Sequence, residues 1–171
     1  MSFIGIISNN KSFENIKRKI EKEMKIENVK LINLTEQNIE NMKNVKFETL
    51  IIDSNLENFK SRKKIIEMIC DKTKYIILNA DIKLEMEMDI CKKINIITYG
   101  LNQKSTITIS SISDMQVLIY IQRNIININK KILQVEEKSI KLDLEKKLGL
   151  YEILIIYAIL SIYSDKIIEQ I

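Results

Sequence analysis

Within the first 101 residues, short apolar runs alternate with stretches whose apolar residues recur at helical spacing, and this alternation dictates what the chain can become. Phe3 to Ile7 is closed by Ser8-Asn9-Asn10 and followed by Phe13, Ile16, Ile20 and Met24 with charges between them. That pattern reads as a strand, a loop and an amphipathic helix. It then repeats: Val29 to Leu34 reads as strand, Glu36 to Met42 as a short helix, Thr49 to Ile52 as a strand ending at Asp53, and Arg62 to Cys70 as helix. Tyr75 to Leu78 is the next strand, Leu84 to Cys91 the next helix, and Ile94 to Thr98 a fifth strand that stops at Tyr99-Gly100. Strands alternating with helices imply right-handed crossovers, so the predicted fold class is α/β, a mostly parallel sheet with helices on both faces.

After Gly100 the alternation ends. Ser105 to Ile112, Gln116 to Gln122, and Ile132 to Val135 with Ser139 to Leu142 are strand-like runs without intervening helices, which predicts an antiparallel extension at the sheet edge. Leu148 to Tyr163 reads as a terminal helix that is apolar nearly all round, hence central in the core or covered by another subunit. The chain has no proline and three glycines, so no linker composition marks a boundary. One domain over 1–171 is expected, with a βα core over 1–101, the antiparallel extension over 102–147 and a packing helix over 148–163.

Histidine and tryptophan are absent, which removes Ser-His-Asp, Cys-His and histidine-based zinc chemistry together. The formal charge of +4 comes with abundant Ile, Lys and Asn, the residues of A/T-rich codons, and arginine is scarce among the 27 basic residues. Nucleic-acid recognition favours arginine for bidentate contacts, so this charge argues poorly for a nucleic-acid partner. Cys70 and Cys91 form no C-x-x-C pair and read as buried free thiols of a cytoplasmic protein. The apolar stretch at the end contains Glu152 and is shorter than the roughly 20 residues a span needs, so no membrane association is expected.

The chemistry worth naming lies where strands end. Gly5-Ile6-Ile7-Ser8-Asn9-Asn10-Lys11-Ser12 has the spacing of a phosphate-binding loop, G-x-x-x-x-G-K-[ST], with Asn10 in place of the second glycine. On that reading Asn10, Lys11 and Ser12 meet phosphate and Ser12 also holds magnesium. The plainer reading is a strand-turn-helix capped by Ser8 or Asn10, with Lys11 solvated. Asp53 stands where a magnesium-holding acid follows a strand, or where an ordinary turn acid would. Asp81 is similarly placed after the next strand, so these groups converge on one crevice. Gly100 is expected to close its turn with a positive φ.

Leu78-Asn79-Ala80-Asp81, followed by Ile97-Thr98-Tyr99-Gly100-Leu101-Asn102, resembles the second half of the central, ATP-binding domain of the Mur ligases and their folylpolyglutamate synthase relatives. In that family a strand ends in Asn-Ala-Asp-Asp-Pro, and a later one ends in a Thr-Tyr/Phe-Gly turn before an antiparallel subsheet. Gly5 to Ser12 is similar to a worn Gly-Thr-Asn-Gly-Lys-Thr/Ser loop, and Gly149-Leu150-Tyr151 resembles the Gly-x-His-Asn segment that opens a long helix. The resemblance implies Asn79 and Asp81 as nucleotide contacts, with Ser12 and Asp53 toward magnesium.

Ile82-Lys83 replaces Asp-Pro, Asn10 replaces the loop glycine, and the His-Asn pair is missing. A stand-alone domain is expected, without the family's substrate and closing domains. The expectation is therefore a catalytically degenerate Mur-ligase-like domain without ligase activity, acting as a cytoplasmic interaction or regulatory protein with a protein partner or a second copy. The alternatives are an Mg-ATP-binding protein or ligase accessory subunit, and a receiver-like signalling domain phosphorylated on Asp53.

Overall fold

A computed structural model of the chain describes residues 1–23, 26, 28–82, 94–142, 148–164 and 169–171. The helix expected over Leu84 to Cys91, with the Cys91 thiol, and Met24 of the first helical pattern lie outside the described residues.

Five parallel strands form the centre of the molecule: β1 (Ser2–Ile7), β2 (Val29–Asn33), β3 (Thr49–Ile52), β4 (Tyr75–Asn79) and β5 (Asn95–Tyr99). Three further strands, β6 (Ile107–Ile112), β7 (Gln116–Ile121) and β10 (Glu136–Lys141), extend the sheet to eight in the order β10-β7-β6-β5-β4-β3-β1-β2. β8 (Ile125–Ile126) and β9 (Ile132–Leu133) pair as a separate small ribbon. The parallel part thus runs 2-1-3-4-5, the doubly wound order whose direction reverses between β1 and β3.

Because each central strand is covered on both faces, its side chains alternate between two cores. Ile4, Ile6, Ile51, Ile77 and Ile97 join one, and Ile7, Leu50, Ile52 and Ile76 the other. The first core is closed by α1 (Asn10–Lys17) and α4 (Leu150–Tyr163), and the second by α2 (Ile39–Met42), a 3₁₀ segment Leu56–Arg62 and α3 (Lys63–Cys70). α4 is buried from Glu152 to Ile162 on every side, which settles it as a central helix within this chain. Cys70 is a buried free thiol, and burial pushes its ionisation up to about 12.

The antiparallel extension exists, with differences in detail. β7 is antiparallel to both β6 and β10, and a bulge interrupts β6 between Ile109 and Ser111. β6 itself is parallel to β5 although only residues 100–106 join them. Parallel neighbours normally need a crossover of a dozen residues or more. The short link suffices because the two strands overlap at the single pair Tyr99↔Ile107, so β6 starts level with the end of β5. The last strand is Glu136–Lys141, earlier than the Ser139 to Leu142 segment expected. Of its six residues only Ile140 is fully buried, so the apolar signal there is too sparse to mark its start. The first helix changes at Arg18–Glu23 into a π-turn.

Candidate functional site

Residues that follow parallel strands gather along one edge of a sheet, and the crevice sits at the point where strand order reverses. Here that edge carries a cavity of about 420 Å³ lined by Asn9, Ser12, Asp53, Asn79, Asp81 and Glu152, among others. Ser12, Asp53, Asn79 and Asp81 are thereby brought together. Asn10 and Lys11 are exposed and do not line it.

The local reason is the helix cap. Neither Ser8 nor Asn10 caps α1; Asn9 does, its Oδ1 accepting the Ser12 N–H at 2.9 Å. Asn10 instead accepts from the Asn33 side-chain amide at 2.9 Å, which draws it toward the end of β2. The turn residues are therefore committed to the helix start and to a neighbouring strand.

Asp53 follows β3, and its Oδ1 accepts from the Tyr99 hydroxyl and from Asn79 Nδ2, the latter at 3.1 Å. Burial raises its pKa, the bonds from Tyr99 and Asn79 work against that rise, and the charge of Glu152 adds to it. Tyr99 is fully buried, and burial together with Asp53 drives its phenol far above the ordinary range. Asn79 also accepts the Asp81 N–H at 3.0 Å, linking the two acids through one amide.

Asp81 is held from the far side. Its Oδ2 accepts the Leu101 N–H at 2.6 Å and the Tyr151 hydroxyl at 3.1 Å, while Oδ1 accepts from Asn102 Nδ2 at 2.6 Å. Partial burial works to raise its pKa, but these donors together outweigh it and hold the carboxyl below the usual range. Gly100 does not adopt a positive φ. Its role is close approach: a Cβ there would lie 2.7 Å from Asp81 Oδ2.

Glu152, nearly buried, completes the rim. It accepts from Asn15 Nδ2 at 3.1 and 3.3 Å and from the Gly149 N–H at 2.9 Å, the second bond being the backward half of a capping box. Glu152 is the lone charge in an apolar helix, and that isolation is the signal by which it can be found from sequence. For Tyr99 the signal is its place at the end of a parallel strand. For Tyr151 the sequence signal is the resemblance of Gly149-Leu150-Tyr151 to a helix-opening segment, and the packing of α4 brings it to Asp81.

Among the described residues, no three or more acidic, Cys or His side chains cluster closely enough to hold a metal, and no Lys or Arg lines the cavity. Ser12 and Asp53 offer one hydroxyl and one carboxylate, a donor set that suits magnesium only with phosphate oxygens and water completing the shell. No protein-family model matches the chain, and no curated protein matches its sequence.

Proposed function

We propose that this chain is a catalytically degenerate, Mur-ligase-like domain that works as a non-enzymatic cytoplasmic interaction or regulatory protein. One observation carries the reading: among the described residues, every carboxylate lining the crevice is engaged by the protein's own donors. Tyr99 and Asn79 hold Asp53; Leu101, Asn102 and Tyr151 hold Asp81; Asn15 and the Gly149 N–H hold Glu152. Acids used this way fasten the strand ends, the turn after β5 and the start of α4 into one rim. Acid–base or metal chemistry needs such groups directed at a reacting atom.

The test is thermal unfolding with and without excess Mg-ATP, with Lys11→Ala as control. A ligand at 100 times its Kd stabilises by about 2.7 kcal/mol. An unchanged midpoint is expected, and a rise abolished by Lys11→Ala overturns the reading.

Nucleotide binding is the second reading, favoured by a cavity that borders the first turn of α1, where free N–H groups and the helix dipole attract phosphate. The strand order favours a third, receiver-like reading, since it puts Asp53 at the reversal point. Incubation with acetyl phosphate separates that one: it requires a covalent adduct that Asp53→Asn abolishes.

A further inference from the structure

The two ends of the sheet differ in chemistry. α4 runs from the acidic crevice, with Tyr151 at Asp81, to the opposite edge, where the Tyr163 hydroxyl shares a 2.6 Å hydrogen bond with Thr49 at the start of β3. There the Ile162 carbonyl accepts the Ile128 N–H at 3.1 Å, which seats the β8–β9 ribbon at the edge where the strands begin.

Burial alternates along this ribbon. Ile125 and Asn127 are buried, whereas Ile126 and Ile128 are 45% and 41% exposed. Ile132 lies opposite Ile126 in register and is 59% exposed, with Val135 beyond it at 50%. The turn between the strands carries exposed Lys130, at a φ of 62°, and exposed Lys131. Exposed Lys46, Lys72 and Lys74, from the loops entering β3 and β4, stand on the same edge. Of the acids there, Glu48 is bonded to Lys74 at 2.7 Å, Asp71 precedes Lys72, and next to Val135 come Glu136, bonded to Lys138 at 2.8 Å, and exposed Glu137.

We propose that this end of the molecule docks on an anionic lipid bilayer, the ribbon isoleucines entering the headgroup boundary and the lysines facing acidic headgroups. Two arguments select that occupant. Aliphatic side chains rimmed by lysine complement a surface that is apolar beneath and negative above. A second copy fits poorly, because four such side chains offer on the order of a few hundred Å², against roughly 800 Å² per partner in a standard interface. Two lysine-bearing turns would also repel each other. The attachment is superficial, for no described helix is long and apolar enough to cross a membrane.

Co-sedimentation of the full chain with phosphatidylcholine vesicles, with and without phosphatidylglycerol, tests this. Binding is expected only with phosphatidylglycerol present, and added salt should release the native chain, a readout that no folding defect imitates. Replacing Lys130 by Gln should lower partitioning about fivefold. Ile126→Ser with Ile132→Ser should lower it about tenfold, with circular dichroism confirming that each variant is folded. Equal binding to both vesicles, binding to neither, or a vesicle-free dimer dissolved by the isoleucine pair overturns the proposal.

Discussion

Replacing Tyr99 by Phe removes one hydroxyl from a fully buried position and almost nothing else, so it isolates the bond to Asp53. A hydrogen bond to an ionised acceptor contributes about 1.5–3 kcal/mol. For a chain of 171 residues the melting midpoint should fall by about 4 to 8 °C at neutral pH. The pH dependence is the sharper readout. Burial holds the Asp53 pKa above the ordinary carboxylate value, so the native state binds this proton more tightly than the unfolded chain does. The stability linked to it is therefore greatest in acid and is lost as pH rises through the raised native value. Tyr99 opposes that rise, and removing it lifts the native pKa further and extends the loss to higher pH. Urea unfolding from about pH 3 to about pH 8 should show the Tyr99→Phe deficit growing with pH. Asp53→Asn in the same background should abolish the growth. A deficit that is equal at both ends of the range refutes the assignment of Asp53 as a charged partner.

Gly100→Ala puts a methyl group 2.7 Å from Asp81 Oδ2 and should cost about 1–3 kcal/mol in a urea titration, because the turn must move away from the carboxylate. Asp81→Asn acts on the acid limb: a depressed native pKa gives stability that is present above the unfolded value and lost as pH falls through the native one, so the variant should flatten that limb in the same experiment. Ile156→Ala, fully buried in α4, should cost about 2–5 kcal/mol by calorimetry and leave the crevice residues in place by NMR.

The parallel core was legible because both faces of its strands are covered, which makes runs such as Leu50-Ile51-Ile52 continuously apolar. Strand order was not, since periodicity along a segment carries no record of its neighbours; β1 lies between β2 and β3 by crossovers alone. The start of β10 escaped for the reason that makes it an edge strand, its exposed Glu137, Ser139 and Lys141. In the crevice, Asp53, Asn79 and Asp81 were accessible to reasoning because parallel strand ends share an edge. Lys11 has the spacing from Gly5 of a phosphate loop and, with Asn9 as the cap, stands exposed beside the crevice residues rather than among its lining. Tyr151 and Glu152 reach the site only through a helix some seventy residues downstream of Asp81.

The central position of α4 also sets a timetable. A ribosome finishes β1 to β5 well before it makes residues 150–163, so the order of synthesis runs opposite to the order of dependence. In that interval Ile4, Ile6, Ile51 and Ile77 lack their main covering helix and present a sticky sheet face to solvent. A nascent chain of this design has its greatest need of a chaperone between the completion of β5 and the emergence of α4, and pauses in translation in that interval are the ones it tolerates least.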